Sequence, residues 1–253
     1  MSLHSSLLSY RLPRRDTVEL IDTPDVGAAE LAENLHDLSR VNQLFGGIAL
    51  TAWALGTFVQ SVQIADNARV PRLVQSVSPL TVLDIGSGLG DIPRALVARA
   101  ERRGVPLRVI ATDVNPQIVH FAQASGAPSL VLHYAAADGM RLPFADNSID
   151  VAACSLALHH FAPDQAVALL REMRRVARRG LIVNDIVRSW PGLAGAWLFG
   201  HLLSQNRLTR HDGLASVQRA YTPAELRDLA TRAGLQVTAM RGVVGYRVAM
   251  ICV

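Results

Sequence analysis

The chain has 253 residues, of which half are hydrophobic and 18% are charged, so it can bury a large core and is neither disordered nor of low complexity. Its net charge is +4 and its pI about 9.7, but all 25 basic residues are arginines spread along the sequence, so nucleic acid is not an expected partner. The absence of lysine excludes a lysine Schiff base and the lysine of a phosphate-binding loop.

The first predicted helix follows a poorly defined arm, residues 1–26. No basic start followed by a long apolar run opens this arm, so a secretory signal is not expected and the cytoplasm is the expected location. From Val26, leucines recur every three or four residues, which predicts an amphipathic helix capped by Thr23 or Asp25. A glycine pair at 46–47 then ends this pattern.

A second, largely apolar helix is predicted through Trp53 to about Ala68. Residues 41–65 carry no charge, but a membrane span needs about 20 mostly apolar residues. Polar residues interrupt this stretch: Asn42, Gln43, Thr51, Thr57, Gln60, Ser61 and Gln63. We therefore expect a buried or lid helix, with a homodimer surface as a further option. Residues 1–78 together are expected to be a helical extension that forms part of a substrate pocket.

After Pro79 the pattern changes to short strands that alternate with helices. This alternation predicts a Rossmann-like, doubly wound α/β fold over residues 79–253. The seven predicted strands are 81–85, 107–112, 130–133, 149–155, 180–186, 235–240 and 245–251. Only a short link joins the last two strands, and a parallel pair would need a longer crossover. The sheet is therefore expected to be mostly parallel with an antiparallel last strand.

An insertion at about residues 188–221 does not fit a simple crossover. It holds an apolar run with Trp190, Trp197 and Phe199, followed by a polar stretch. Because insertions at the carboxyl edge of such a sheet lie over the ligand crevice, we interpret it as a substrate cap.

The two cysteines, Cys154 and Cys252, lie in apolar strand-like runs. Neither belongs to a CxxC motif or to a His/Cys pattern with metal-ligand spacing. No disulfide framework and no metal site are predicted.

A glycine-rich turn follows the first strand of the predicted sheet. Gly86, Gly88 and Gly90 spell GxGxG after Asp84, and Asp91 stands where a dinucleotide motif would have its third glycine. Such a turn lets the backbone pass close to a ligand, and Asp113 at the end of the second strand can accept both hydroxyls of a ribose. These residues alone leave nicotinamide and adenosyl cofactors open.

The ordered motifs between residues 82 and 187 decide between these cofactors. They are VLDIGSGLGDIP, ATDVNP, AADGMRLPFADNSIDVAACSLALHHF and LLREMRRVARRGLIVND. Taken together, this series resembles that of the class I S-adenosylmethionine-dependent methyltransferases.

The resemblance implies a cofactor-binding role for a set of residues at successive strand ends. Asp84, Gly86, Ser87, Gly88 and Gly90 would hold the methionine end. Asp113 would bind the ribose and Asp138 the adenine amino group. Gly139 and Met140 would flank the adenine ring, and Ser155 would lie beside the carboxylate or sulfonium. Val114 completes the expected cofactor-binding set. Each acid also has a plain structural alternative, because Asp84 can cap a helix, Asp113 can start an Asx turn, and Asp138 can be a loop acid.

If the methyl acceptor is a hydroxyl group, the protein must also remove its proton. His159 and His160 follow the fourth strand and Asp185 ends the fifth, so a carboxylate is placed to orient an imidazole base. This arrangement is similar to that of small-molecule and sugar O-methyltransferases. His211, with Asp212, forms a second candidate pair in a polar stretch that we interpret as a turn-rich loop.

The sequence therefore predicts an S-adenosylmethionine-dependent methyltransferase of a small, largely apolar molecule, with a hydroxyl or phenol oxygen as the leading acceptor. Methylation of a quinone or polyketide carbon is the alternative within this class. A nicotinamide-dependent oxidoreductase and a non-catalytic cofactor-binding subunit are the alternatives from other classes.

Overall fold

A computed structural model describes residues 12–23, 26–67, 78–243 and 245–253, without the side chains of 61–67. Asp25, one of the two predicted caps, lies outside these residues. The other predicted cap, Thr23, donates its hydroxyl to the carbonyl of Leu20, and Gly27 precedes the first helix.

Seven strands form one sheet in the order β3-β2-β1-β4-β5-β7-β6. The first five run parallel, and β7 runs antiparallel to both of its neighbours. The strands are β1 (Leu80–Ile85), β2 (Leu107–Asp113), β3 (Leu132–Ala136), β4 (Ile149–Ser155), β5 (Ala177–Ile186), β6 (Val237–Val243) and β7 (Arg247–Cys252). The predicted fold class is confirmed, including the antiparallel last strand.

Eight α-helices accompany these strands in the described residues. They are α1 (Ala28–Leu44), α2 (Gly47–Asn67), α3 (Asp91–Arg102), α4 (Pro116–Ala124), α5 (Pro163–Val176), α6 (Trp190–Leu202), α7 (Arg207–Arg219) and α8 (Pro223–Arg232). None of the helices in this part of the chain has the length and hydropathy that crossing a bilayer needs. Two 3₁₀ turns, Leu20–Asp22 and Leu158–His160, lie near the candidate site.

Helices cover both faces of the sheet. Successive side chains of β1 point to opposite faces, so each face has its own hydrophobic cluster. Val82 packs in the cluster that holds residues of α2 and α3, whereas Leu83 packs in the cluster that holds residues of α5 and α8. The position of α2 is fixed by Asn184 of β5, whose amide donates to the Gly47 carbonyl at 2.7 Å and to Thr51 Oγ1 at 2.6 Å. Helix α2 is therefore a core helix.

The insertion after β5 contains two helices, and its polar stretch is not a loop. Helix α7 begins after Asn206, whose side chain accepts hydrogen bonds from the backbone N–H groups of Leu208 and Thr209. Apolar residues such as Leu208 and Ala215 recur at helical spacing and are buried. Residues 211 and 212 consequently lie on a helix, which corrects the turn-rich loop expected from the sequence.

The N-terminal helix α1 packs against this insertion. Asp37 accepts hydrogen bonds from the hydroxyls of Ser204 and Thr209, the latter at 2.9 Å, and Asn34 donates to Thr209 Oγ1 at 3.1 Å. The predicted division into an N-terminal extension, a core and a cap remains a prediction about folding units, but extension and cap are in direct contact at this point.

Candidate active site

A cavity of about 950 Å³ lies at the carboxyl ends of β1, β2, β4 and β5. A smaller cavity of about 70 Å³ adjoins it, since Gly86 and Gly88 line both. Eight of the predicted site residues line the larger cavity: Gly86, Gly88, Asp113, Val114, Asp138, Gly139, His159 and His160. Asp84, Ser87 and Ser155 line the smaller one. Gly90, Met140, Asp185 and His211 line neither cavity.

The glycine turn after β1 has the conformation that its sequence suggests. Gly86, Gly88 and Gly90 have φ values of 68°, 54° and 72°, in the left-handed region that favours glycine. A Cβ at Gly86 would lie 2.8 Å from Ala157 Cβ, and one at Gly90 would lie 2.6 Å from Tyr134 Cε1. Glycine is therefore required at both positions by conformation and by space.

The small cavity is lined by buried polar atoms without a partner in the described structure. Asp84 is 3% exposed, and its Oδ1 accepts no hydrogen bond there, nor does the Ser155 hydroxyl make one. Burial raises the pKa of Asp84 to about 7, since an isolated carboxylate is poorly solvated at this position. Helix α3 is preceded by Gly90 and has no side-chain cap, so the helix-cap role considered for Asp84 does not apply.

Asp113, which ends β2, and Asp138, which follows β3, line the large cavity and also hold local turns. Asp113 accepts from the N–H of Gly88 at 3.2 Å and from that of Asn115 at 3.0 Å. Asp138 accepts from the N–H of Met140 at 2.9 Å. Burial raises the pKa of Asp113, and the Asn115 and Gly88 amides oppose this shift. Both acids thus form Asx turns, and each still has lone pairs available to a ligand.

These observations fit S-adenosylmethionine. Its ammonium group would supply donors to the buried oxygens of the small cavity, and its ribose and adenine donors would meet Asp113 and Asp138. The individual contacts remain predictions.

A buried histidine–carboxylate pair lies beside the large cavity, which His159 lines. His159 Nδ1 lies 2.7 Å from Asp185 Oδ1, and the backbone N–H of His159 donates to Asp185 Oδ2 at 3.0 Å. Burial favours the neutral carboxyl, but the charge and hydrogen bond of His159 hold the pKa of Asp185 below its usual value. The strand-end acid predicted to orient an imidazole is thus bonded to the first histidine of the pair.

Glu19, a residue that the sequence did not reveal, completes this group. It precedes the Leu20–Asp22 turn and is 3% exposed. Its Oε1 lies 3.6 Å from His159 Nε2, and its Oε2 lies 3.6 Å from His160 Nε2. Burial raises the pKa of Glu19 to about 7, although His160, Ser216 and Arg219 act in the opposite direction. No motif or spacing in the arm indicates this role.

Helix α7 holds the arm that carries Glu19. Asp212 accepts from the N–H groups of Leu20 at 2.7 Å and Ile21 at 2.9 Å. His211 bonds to Asp212 through Nδ1 at 2.8 Å and is about two-fifths exposed. Asp212 thus joins the arm to the insertion. A catalytic role of His211 remains a prediction.

Comparison with known proteins identifies a methyltransferase domain in the core of the chain. The "Methyltransferase domain" family matches residues 83–183. A demethylmenaquinone methyltransferase of Deinococcus radiodurans is 33% identical over 47% of this chain and 48% of its own length. A ubiquinone/menaquinone biosynthesis C-methyltransferase of Bordetella avium is 34% identical over 47% of this chain and 45% of its own length. The chain spans about half the length of these curated relatives.

Solved structures share the fold at lower identity. Human N-acetylserotonin methyltransferase in complex with S-adenosylmethionine has a TM-score of 0.60 and 17% identity, covering 89% of this chain and 56% of that one. Magnesium protoporphyrin IX methyltransferase from Synechocystis with bound S-adenosylhomocysteine has a TM-score of 0.51 and 19% identity, covering 81% of this chain and 83% of that one. The motifs, the fold and the family match all favour a methyltransferase over a nicotinamide-dependent oxidoreductase. Residues 83–183 thus form a methyltransferase domain, and the core of the chain is similar to class I S-adenosylmethionine-dependent methyltransferases.

Proposed function

We propose that this protein methylates a ring carbon of a small, hydroxylated aromatic acceptor of the quinol type. The observation that carries the proposal is the continuity of the large cavity. Its cofactor end is lined by Asp113 and Asp138, and its other end has apolar walls. The polar group of Glu19, His159 and His160 belongs to the same cavity lining.

The apolar walls come from the N-terminal extension, the core and the insertion. They include Leu38, Val41, Phe45, Ile186, Phe199 and Val217. A cavity of about 950 Å³ lies at the upper end of the range of about 300–1,000 Å³ for small-molecule sites, so cofactor and a ring-sized acceptor fit together. This agrees with the small, largely apolar acceptor expected from the sequence.

When bound, S-adenosylmethionine supplies an activated methyl group on a positively charged sulfur. The chain's task is to place the acceptor ring against that group and to stabilise the loss of a proton from a ring hydroxyl. The resulting oxyanion increases electron density at the neighbouring ring carbon. That carbon forms the new C–C bond, the electron pair of the broken C–S bond stays on sulfur, and the carbon's hydrogen leaves as a proton. We assign the activation of the acceptor oxygen to Glu19, His159 and His160, which line the cavity.

The choice of carbon over oxygen is supported by the relatives. The sequence favoured oxygen as the leading acceptor atom, but the similar proteins are named as methyltransferases of demethylmenaquinone and as a C-methyltransferase of ubiquinone/menaquinone biosynthesis. Carbon and oxygen of one deprotonated ring are both nucleophilic, so orientation in the cavity decides between them.

The test uses methyl-¹³C-labelled S-adenosylmethionine with naphthoquinols, benzoquinols and simple phenols. We expect a ring-methyl product in the carbon NMR spectrum. A methoxyl product would overturn carbon transfer and return the assignment to oxygen. Absence of product from every acceptor, in a protein that binds S-adenosylhomocysteine, would instead favour a non-catalytic subunit. His159→Ala is expected to lower the yield of this product, and the exposed His133→Ala variant is its matched control.

A further inference from the structure

We propose that Glu19, His159 and His160 form a binding site for a first-row divalent transition metal ion, such as Zn²⁺, Fe²⁺ or Co²⁺. The ligand atoms that these three residues can offer all lie within 4.8 Å of one another. The inference goes beyond methyl transfer, because the ion would bind this set whether or not the proposed reaction follows. Glu19 is far from the histidines in sequence, which is why ligand spacing did not predict a metal.

The first argument is the spacing of the donor atoms. Each histidine Nε2 is 3.6 Å from an oxygen of Glu19. A charged N–H···O hydrogen bond would contract to about 2.7–2.9 Å. Two ligands of one tetrahedral Zn²⁺ ion, each about 2.0–2.2 Å from the metal, are separated by about 3.4 Å. The observed separation is thus closer to that of two ligands on one ion than to that of a hydrogen bond.

The second argument is the tautomer of each histidine. His159 Nδ1 is 2.7 Å from Asp185, and His160 Nδ1 is 3.3 Å from Asp22. In both pairs a carboxylate oxygen faces Nδ1 of the ring, and an ionised carboxylate can only accept a hydrogen bond. In this arrangement Nδ1 of each ring is the donor, and Nε2 is the atom that a metal ion would bind.

Three possible metal ligands therefore converge. Nε2 of each imidazole faces an oxygen of the buried Glu19, whose Oε1 has no hydrogen-bond partner among the described residues, and a bound cation would contact all three side chains. Metal-binding histidines usually donate their other N–H to a carboxylate or carbonyl, which fixes the tautomer and orients the ring. Asp185 and Asp22 supply that outer shell for both rings.

The third argument is charge. Glu19, Asp22 and Asp185 contact the two imidazoles and carry three negative charges when ionised. Arg219, whose NH1 lies 3.7 Å from both Glu19 Oε1 and Asp22 Oδ2, supplies one positive charge. The acids outnumber this arginine, which favours a bound cation. Imidazole nitrogens favour zinc, iron or cobalt over magnesium or calcium, which prefer oxygen ligands.

The position in the cavity indicates what such an ion would do. All three ligands line the acceptor cavity, so further coordination positions would face an incoming oxygen. A metal there would act as a Lewis acid and stabilise the oxyanion of the acceptor ring. His159 would then serve as a ligand, and Asp185 would hold it in place.

The test measures binding of Co²⁺ to the full-length, chelator-treated protein by calorimetry and by visible absorption. We expect one equivalent per chain and d–d bands of a nitrogen–oxygen site. Glu19→Gln and His160→Ala should remove this site, and the outer-shell variant Asp22→Asn should weaken it by about 10–100-fold. His133→Ala is the matched control and should bind as wild type does.

Two outcomes would overturn the metal site: no Co²⁺ binding by wild type, or equal binding by wild type, Glu19→Gln and His160→Ala. Circular dichroism melts of the metal-free variants show whether they fold. Calorimetry with S-adenosylhomocysteine separates this inference from the proposed function. Loss of cofactor binding with intact Co²⁺ binding would count against methyl transfer alone, and the reverse result would count against the metal alone.

Discussion

His159 and Asp185 are joined by two hydrogen bonds, one from the imidazole and one from the backbone N–H, and both side chains are about 3% exposed. The residues follow β4 and end β5, which are neighbouring parallel strands. Their contact therefore depends on the topology of the sheet. It fixes the imidazole with Nε2 toward Glu19, whose Oε1 is 3.6 Å away.

Asp185→Asn tests this contact. The amide can still accept from the backbone N–H of His159 but no longer carries the charge that holds the ring. We expect turnover to fall by about 10²–10⁴-fold, the usual range for proton-transfer groups, while the Kd for S-adenosylhomocysteine stays unchanged. Steady-state kinetics and calorimetry measure the two effects. The exposed Asp228→Asn is the control, and unchanged turnover in Asp185→Asn would remove the pair from the mechanism.

Asp113→Ala tests the predicted ribose contact. Hydrogen bonds to charged groups contribute about 1.5–3 kcal/mol each, so the Kd for S-adenosylhomocysteine is expected to rise by about 10–150-fold. The loss of the Gly88 and Asn115 contacts adds to this by loosening the turn. Asp164, which is 94% exposed, provides the control substitution to alanine. Equal affinities in both variants would contradict the assignment.

The buried carboxyl of Asp84 predicts a pH dependence. Its folded-state pKa of about 7 is above the usual value, so the folded state holds the proton more tightly than the unfolded chain. Stability of the ligand-free protein should therefore fall as the pH rises from about 4 to about 7. Asp84→Asn is expected to gain about 1–3 kcal/mol over wild type at pH 8 and less at pH 5, measured by denaturant unfolding.

Cofactor affinity should depend on pH in the opposite direction. A ligand ammonium group near Asp84 favours the ionised carboxylate, so binding releases a proton. The Kd of wild type should decrease by up to about tenfold per pH unit below pH 7 and level off above it. Calorimetry between pH 6 and 8 in two buffers measures both Kd and the released proton. A Kd that is constant over this range would contradict the predicted contact.

Gly90 and Gly56 form a matched pair for stability. Gly90→Ala would place a Cβ 2.6 Å from Tyr134 at a φ of 72°, and we expect a loss of about 1–3 kcal/mol. Gly56, inside α2, has no atom within 4 Å of an added Cβ, so Gly56→Ala should gain about 0.5–1 kcal/mol from helix propensity. Thermal melts compare the two. The same sign for both variants would refute the account of the glycine turn.

Asp212→Ala tests the attachment of the N-terminal arm. The N–H groups of Leu20 and Ile21 would lose their acceptor, and Glu19 would lose its fixed position. We expect a higher KM for the acceptor and faster trypsin cleavage at Arg14 or Arg15, with cofactor affinity retained. His211→Ala should show neither effect. If it lowers turnover as much as His159→Ala does, the cap histidine has the catalytic role instead.

The cofactor side could be predicted from the sequence because its acids follow strands in chain order. Asp84, Asp113 and Asp138 each end or follow a strand, and parallel strands bring their carboxyl ends to one edge. The contribution of Glu19 could not be predicted, because it depends on packing between an arm and a helix almost 200 residues later in the chain. Helix α7 was not predicted because most of its residues are polar, so its few apolar residues gave only a weak helical pattern.

The contact between Asp212 and the Leu20–Asp22 turn also has a consequence for biosynthesis. The arm is made before the sheet, but its anchor on α7 is made only after the first five strands. Glu19 can therefore reach His159 and His160 only after helix α7 has been made, so this group is assembled late although one of its members is made early.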